Sequence, residues 1–264
     1  MIPIVVMDKN SELPAGNCYL IAKGGVYLQK DTGLIKALVK INGISSLQEI
    51  KTVAHINLPI IPETITRAVI SFFRTVFRLY NSEAVLLIYY NKDSCEYLLL
   101  APIQRVHYTG VSYVSESIPS GFNLVGSVHS HSDFEADYSM IDDENEKHFD
   151  GLHIIIGALH RKSLSVSIDL VVNGNRFVQE PTTWLSGLNK IEIPTVHSMP
   201  ASISRSYWLR FKNEIRYVLN NEDVNQQFPA DWLKSVELSS YKSARWRQLA
   251  LNFDFDINTK TENQ

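Results

Sequence analysis

Two histidines, a serine and an aspartate follow one another at spacings that suit a metal site. One residue separates His129 from His131, seven residues separate His131 from Ser139, and two separate Ser139 from Asp142. Residues i and i+2 of a strand point to the same face, so both imidazoles can turn toward one point. If Ser139 begins a helix, Asp142 can face back toward them. Three protein ligands with a fourth position left to water are typical of catalytic zinc, so the pattern predicts one zinc ion per chain.

Hydrolysis at such a site also needs a carboxylate that takes a proton from water and passes it to the leaving group. Glu83 is the first candidate because it opens the apolar stretch Ala84–Tyr90, and Glu96 is the second. Glu83 could instead be an ordinary solvated carboxylate. The hydroxyl of Ser139 could donate to an oxyanion, although Ser-x-x-Asp is also a capping box that only stabilises a helix.

Further charged and imidazole side chains crowd the same region. A run of acidic residues is more often a solvated face than a site, and a lone histidine is more often structural than a ligand. His153 alone is a candidate for orienting a ligand from behind. The acidic residues concerned are Glu135, Asp137, Asp143, Glu144 and Glu146, and the other histidines are His148 and His160.

The pattern H-x-H-x7-S-x2-D matches the signature of the JAB/MPN (JAMM) metalloenzymes, which the chain resembles over residues 60–180. It is also similar to the JAB proteins of prokaryotic PRTRC cassettes and of bacterial ubiquitin-like conjugation operons. The segments that carry the narrower resemblance are Asn57–Pro62, Gly126–His131, Phe149–His153 and Gly174–Phe177.

The resemblance implies a zinc-dependent isopeptidase or peptidase that cuts at the C-terminus of a bacterial ubiquitin-like protein, in precursor processing or deconjugation. It implies Glu83 as the base, Ser139 at the oxyanion, and His129, His131 and Asp142 as zinc ligands. The implied partners are the ubiquitin-like protein or its conjugates, together with E1-like and E2-like proteins. The resemblance to proteins of antiphage and plasmid-borne operons suggests a role in antiphage defence or in a mobile element.

Two features depart from the family pattern. Ser132 stands where many members have proline after the second histidine, which puts the rigidity of that turn in doubt. Only ten residues separate Asp142 from His153, so the insertion that selects one polyubiquitin linkage in some members is absent there. Two rival functions stay open: a noncatalytic MPN-like scaffold that binds conjugation partners, and a small-molecule or sulfur-carrier hydrolase that releases an amino acid from the C-terminus of a carrier protein.

The elements that must hold these residues can be predicted from periodicity. Apolar residues at three- and four-residue spacing predict a helix over 63–80, and Ser139–Phe149 could also be helical. Strands are expected on both sides of the motif, so the fold class is α+β, with a mostly antiparallel, JAB/MPN-like sheet flanked by helices. The predicted strands are Ala84–Tyr90, Glu96–Ile103, Val111–Ser115, Leu124–His129, His153–Leu159, Leu164–Val172 and Arg176–Val178.

Changes in residue composition and pattern near residues 57 and 180 divide the chain into three predicted parts. Residues 1–56 combine two short strands with an apolar-periodic stretch, Leu34–Ile41, and are predicted to form a small α+β module. Residues 57–180 are the catalytic domain. Residues 181–264 are predicted to form a helical extension, with helices over 202–220 and 231–251. Its tryptophans are expected to pack this segment onto the core, although an exposed one could instead anchor a partner: Trp184, Trp208, Trp232 and Trp246.

Composition narrows the function classes. The chain has 264 residues and is 45% hydrophobic, enough for a real core. Its net charge is −3 with a pI near 6.2, so no basic field is available for nucleic acid. No apolar run is long enough to cross a bilayer, and the start lacks the features of a signal peptide, so we expect a cytoplasmic protein. Cys18 and Cys95 form no metal-binding pattern, which leaves histidine and carboxylate as ligands.

Overall fold

The computed structural model of the chain describes residues 2–114, 117–137, 146–196, 211–220 and 227–239. These residues form an α+β protein with mostly strands, as predicted, and none of their helices is long and apolar enough to span a membrane. The contacts divide the chain into two units, Met1–Val53 and Ala54–Gln264.

The first unit is a sheet in the order β1-β2-β3-β4, in which the first pair is parallel and the others antiparallel. The α+β prediction for this module is wrong, because residues 2–53 contain no helix and the periodic stretch 34–41 ends in a strand. Eight residues are too few for a stable isolated helix, whereas pairing with β3 satisfies the backbone of β4. The strands are β1 (Ile4–Val6), β2 (Cys18–Ala22), β3 (Gly25–Asp31) and β4 (Lys36–Ile41).

The second unit begins with helix α1 (Glu63–Tyr80), whose predicted bounds are confirmed. Pro62 precedes its first turn, where a missing backbone N–H costs nothing, and Asn81 ends it in the left-handed conformation with φ 49°. Phe72, Phe73 and Val76 on its apolar face are fully buried.

Helix α1 packs on one face of a six-stranded sheet in the order β12-β11-β10-β9-β5-β6. Only β9 and β10 pair in parallel, so the mostly antiparallel sheet is confirmed. Val128 of β9 belongs to the core shared with α1, so by alternation His129 and His131 lie on the opposite face. The strands are β5 (Val85–Asn91), β6 (Glu96–Leu100), β9 (Asn123–His131), β10 (Gly151–Gly157), β11 (Ser165–Val172) and β12 (Asn175–Gln179).

A smaller three-stranded sheet has the order β15-β7-β8 and is formed by β7 (Ile103–His107), β8 (Gly110–Val114) and β15 (Val236–Leu238). The predicted single strand Glu96–Ile103 is therefore two strands, β6 and β7, which separate around Pro102 because proline cannot donate to a ladder. The buried side chain of Gln104 joins this sheet to β5: its amide donates to the carbonyl of Val85 and its oxygen accepts from the Val85 N–H, both at 2.9 Å.

The chain beyond residue 180 is mostly extended where the structure describes it, so the prediction of a helical extension is wrong there. A 3-10 turn (Pro181–Thr183) leads into β13 (Leu188–Val196), which pairs over nine residues with β14 (Phe211–Leu219). Of the predicted helix over 202–220, residues 211–219 are a strand, because cross-strand pairing overrides local propensity, and residues 202–210 lie outside the described residues. Of the predicted helix over 231–251, the described residues form the short α2 (Ala230–Lys234) followed by β15, and residues 240–251 lie outside them.

This last segment is part of the core of the second unit. Trp232 of α2 is 6% exposed and packs edge-on against Phe72, and its indole N–H donates to the carbonyl of Leu99. Trp184 is partly buried against the same core, so the packing role is confirmed for both. Trp208 and Trp246 lie outside the described residues.

Candidate functional site

The two histidines of the motif lie at the carboxyl end of β9 and converge as predicted. His129 and His131 are 7% and 8% exposed, and their Nε2 atoms are 3.2 Å apart. In the sheet, His129 stands between Val85 of β5 and Ile155 of β10. Both neighbouring strands therefore fix the backbone that carries this imidazole.

The hydrogen bonding of His131 fixes its tautomer. Its Nδ1 lies 3.1 Å from the carbonyl oxygen of Glu135. A carbonyl only accepts, so Nδ1 carries the proton and donates it, and Nε2 of the neutral ring keeps its lone pair. That lone pair is on the nitrogen that faces His129. The imidazole is thus in the form that binds a metal through Nε2.

Glu83 lies beside the histidines, as predicted. It is 7% exposed, and its backbone N–H donates to the carbonyl of His107 at 3.1 Å. Its neighbour Ala84 exchanges two hydrogen bonds with Ser130, the residue between the histidines: the Ala84 N–H donates to the Ser130 hydroxyl and the Ser130 N–H donates to the Ala84 carbonyl. Glu83 is therefore tied to β7 on one side and, through Ala84, to the histidine-bearing strand on the other.

Glu96, the second candidate base, is not at this site. It is exposed at the start of β6 and lines a separate cavity beside Pro59 and Tyr97.

Glu83 and the two histidines line one cavity of about 460 Å³. The β7–β8 hairpin lines one side of the cavity. Strands β5, β9 and β10 and the segments around Phe134 and Phe149 supply the rest of the lining. The remaining lining includes His107, Gly110, Tyr113, Phe134, Glu146 and His153. The cavity brings one carboxylate and two imidazoles of the predicted site together.

Ser139 and Asp142, the other two predicted site residues, lie outside the described residues, as does most of the predicted helix Ser139–Phe149. Among the residues that the structure describes, no group of three histidine, cysteine or acidic side chains could hold a metal ion. The described donors are two imidazole nitrogens on one strand.

Glu146 is a site residue that the sequence reasoning missed. It was expected on a solvated face, yet it is 6% exposed and its carboxylate faces the back of the histidine site. Oε1 lies 3.8 Å from Nδ1 of His129 and 3.6 Å from Nδ1 of His153, while Oε2 accepts from Arg176 at 2.8 Å. A buried carboxylate needs such a partner, and Arg176 on β12 provides it. Acidic residues near His129 in sequence were visible, but nothing local distinguished the buried one.

His153 is buried behind the site, where it was predicted as an orienting group. Its Nε2 donates to the carbonyl of Phe149 at 2.8 Å, so in the neutral ring Nδ1 accepts from the hydroxyl of Ser127 at 2.9 Å. Burial lowers the pKa of His153 from 6.5 to about 4, and the charge of Arg176 acts in the same direction. His153 is therefore neutral near pH 7. His148 and His160 are exposed.

The turn after β9 explains the serine at position 132. Ser132 is fully buried and has φ 41°, a left-handed conformation that the ring of proline forbids. The turn is also close to β10: a Cβ at Gly157 would lie 2.3 Å from the carbonyl oxygen of Phe134. Proline at position 132 would therefore not fit this turn.

Comparison with known proteins adds nothing to this geometry. No protein-family model matches the chain, and no curated protein matches it significantly.

Proposed function

We propose that the protein is a JAB/MPN (JAMM)-type zinc isopeptidase or peptidase that cleaves at the C-terminus of a bacterial ubiquitin-like protein. The observation that carries the proposal is the 3.2 Å approach of the Nε2 atoms of His129 and His131 inside a cavity that also holds the buried carboxylate of Glu83.

The spacing of the two nitrogens fits zinc. Imidazole nitrogens bind zinc at about 2.0–2.1 Å, so two of them on one tetrahedral ion are about 3.3–3.4 Å apart. The tautomer of His131, with its lone pair on Nε2, fits as well. In this proposal His129, His131 and Asp142 hold one zinc ion, with Asp142 assigned from the motif alone. When bound, zinc supplies a Lewis acid for the scissile carbonyl and makes water more acidic.

The residues of the chain then divide the proton work. Glu83 takes a proton from the attacking water and passes it to the leaving amine. Its side chain is 7% exposed and lines the same cavity as the two imidazoles. Ser139, assigned from the motif, donates its hydroxyl hydrogen bond to the oxyanion.

An extended peptide suits the shape of the site. β8 is paired only on its β7 side among the described residues, and its residues 110–113 line the cavity. An unpaired edge accepts a peptide as an added strand, with main-chain hydrogen bonds giving affinity. The flexible C-terminal tail of a ubiquitin-like protein is a peptide of this kind. Cleavage then requires small residues at the last positions of the tail, and bulky residues grafted there should abolish it.

The test combines metal content with cleavage. We expect about one zinc per wild-type chain by elemental analysis and none in the His129→Ala/His131→Ala double variant. Glu83→Gln should retain zinc and lose cleavage of a fusion protein that carries a bacterial ubiquitin-like domain, by about 100-fold or more. Glu96→Gln is the matched control, because it removes a carboxylate outside the cavity, and it should cleave like the wild type.

The rivals predict different results. A noncatalytic scaffold for E1-like or E2-like partners is favoured by one feature: the 3.2 Å distance also fits a hydrogen bond between the two imidazoles without any metal. That rival predicts equal zinc content in the wild type and the double variant. A carrier-protein hydrolase predicts zinc and a need for Glu83, but cleavage of a sulfur-carrier fusion in place of the ubiquitin-like one.

A further inference from the structure

A buried arginine from the C-terminal hairpin reaches the loop that follows the histidines. Arg216 of β14 is 1% exposed and is among the largest fully buried side chains described. Its two terminal nitrogens lie 2.7 Å from different carboxylate oxygens of Glu135. Nη2 donates a hydrogen bond and Nη1 makes an ion-pair contact without one, so the carboxylate meets the planar guanidinium at two points.

Glu135 also contacts the site through its backbone. Its carbonyl oxygen accepts the Nδ1 proton of His131 at 3.1 Å, while its side chain is held by Arg216. One residue therefore joins the buried arginine to the imidazole. Arg216 and Glu135 are 81 positions apart in the sequence, so no local sequence pattern indicates their contact.

Two further charged side chains lie beside the contact between Arg216 and Glu135. Glu214, two residues before it on β14, is a second carboxylate against the same guanidinium, and Arg161 lies 3.9 Å from Glu135 on a more exposed side. The guanidinium is buried while the side chain of Glu135 is 40% exposed, so losing this carboxylate would leave a buried positive charge less well compensated. The loop between His131 and Glu135 is thus anchored to the sheet formed by β13 and β14.

We propose that Arg216 is a positioning residue of this site: through Glu135 it fixes the turn after β9 and keeps the Nε2 lone pair of His131 directed at His129. The proposal rests on the proposed function, because it gives this lone pair to a metal. It also assigns a role at the site to β14, which belongs to the C-terminal part of the chain (residues 181–264).

Two measurements test the proposal on folded protein. The first is the tautomer of His131 in the metal-free protein, read from imidazole ¹⁵N shifts at about pH 8, where an imidazole is neutral. The second is the zinc dissociation constant. The variants are Arg216→Lys, which keeps the charge but loses the two-point contact, and Glu135→Gln, which keeps the backbone carbonyl but loses the ion pair. Arg161→Gln is the control, since it removes the longer contact with Glu135 and, besides that, an exposed hydrogen bond to His160.

In the wild type and the control we expect the Nδ1–H tautomer of His131. In Arg216→Lys and Glu135→Gln we expect a mixture of tautomers and zinc binding weaker by about 10- to 100-fold, the usual cost of losing a group that orients a metal ligand. Circular dichroism identifies folded variants, and Glu135→Gln is decisive if Arg216→Lys does not fold.

Unchanged tautomer and zinc affinity in a folded Arg216→Lys or Glu135→Gln variant would overturn this proposal while leaving the proposed function intact. A wild type that binds no more zinc than the His129→Ala/His131→Ala variant overturns the proposed function, and this proposal with it.

Discussion

Lowering the pH should destabilise the protein through His153. Its ring is buried and neutral, donating to Phe149 and accepting from Ser127. Burial lowers its pKa from 6.5 to about 4. As the pH falls below 6.5, the unfolded chain takes up a proton at this position and the folded chain does not. Stability therefore falls with pH over the window between these two pKa values and the loss is complete below about pH 4.

The size of the effect follows from the two pKa values. Each unit of difference is worth about 1.4 kcal/mol, so the full loss approaches about 3 kcal/mol. Between about pH 7.5 and pH 5 the expected loss is about 2 kcal/mol, because the folded protein still resists protonation there. This is a large share of the 5–15 kcal/mol that stabilises a typical domain.

The assay is urea unfolding of metal-free protein at several pH values, with a chelator present so that zinc release adds no pH dependence. His153→Gln replaces the ring with an amide that does not titrate, and other groups cancel in the comparison. The wild type should lose about 2 kcal/mol more than this variant between pH 7.5 and pH 5. His160→Gln, at an exposed position, should behave like the wild type. Equal pH dependence in the wild type and His153→Gln would refute the reasoning.

Two further variants test the backbone and the core. Ser132→Pro should cost more than about 1 kcal/mol, because proline cannot adopt φ 41°, whereas Ser132→Gly should be neutral or slightly stabilising; equal urea midpoints for the two would contradict the left-handed turn. Trp232→Ala should cost about 3–5 kcal/mol, because the indole is buried against Phe72, and Trp232→Phe should cost about 1 kcal/mol for the lost hydrogen bond to Leu99. A loss below about 1 kcal/mol in Trp232→Ala would mean that α2 is not part of the core.

The sequence predicted the parts of the fold that local periodicity controls. Helix α1 has its predicted bounds, since Pro62 and the apolar spacing are local features. The strands around the motif were predicted to within a few residues. The failures lie where distant partners decide: β4 depends on pairing with β3, and β14 on pairing with β13. The boundary between the units was predicted at residue 56 and lies at Val53.

The candidate site divides in the same way. The convergence of His129 and His131 follows from strand geometry, and the nearness of Glu83 follows from the pairing of β5 with β9. The burial of Glu146 and the contact of Glu135 with Arg216 do not follow from local sequence. Each carboxylate is paired with an arginine from a strand later in the chain. Charge patterning along the sequence cannot distinguish such a carboxylate from a solvated one.

The single parallel pair in the large sheet has a consequence for chain length. In the register of β9 and β10, His131 stands opposite Gly157, so the chain must return about 20 Å before β10 begins at Gly151. A connection between neighbouring parallel strands must leave the sheet and cross over it, which takes about a dozen residues, whereas residues 132–150 make this one. Roughly half a dozen residues are thus surplus to the crossover. Residues 132–150 connect two strands and also carry side chains of the candidate site. A deletion in this segment can therefore leave the strands connected and still remove the site.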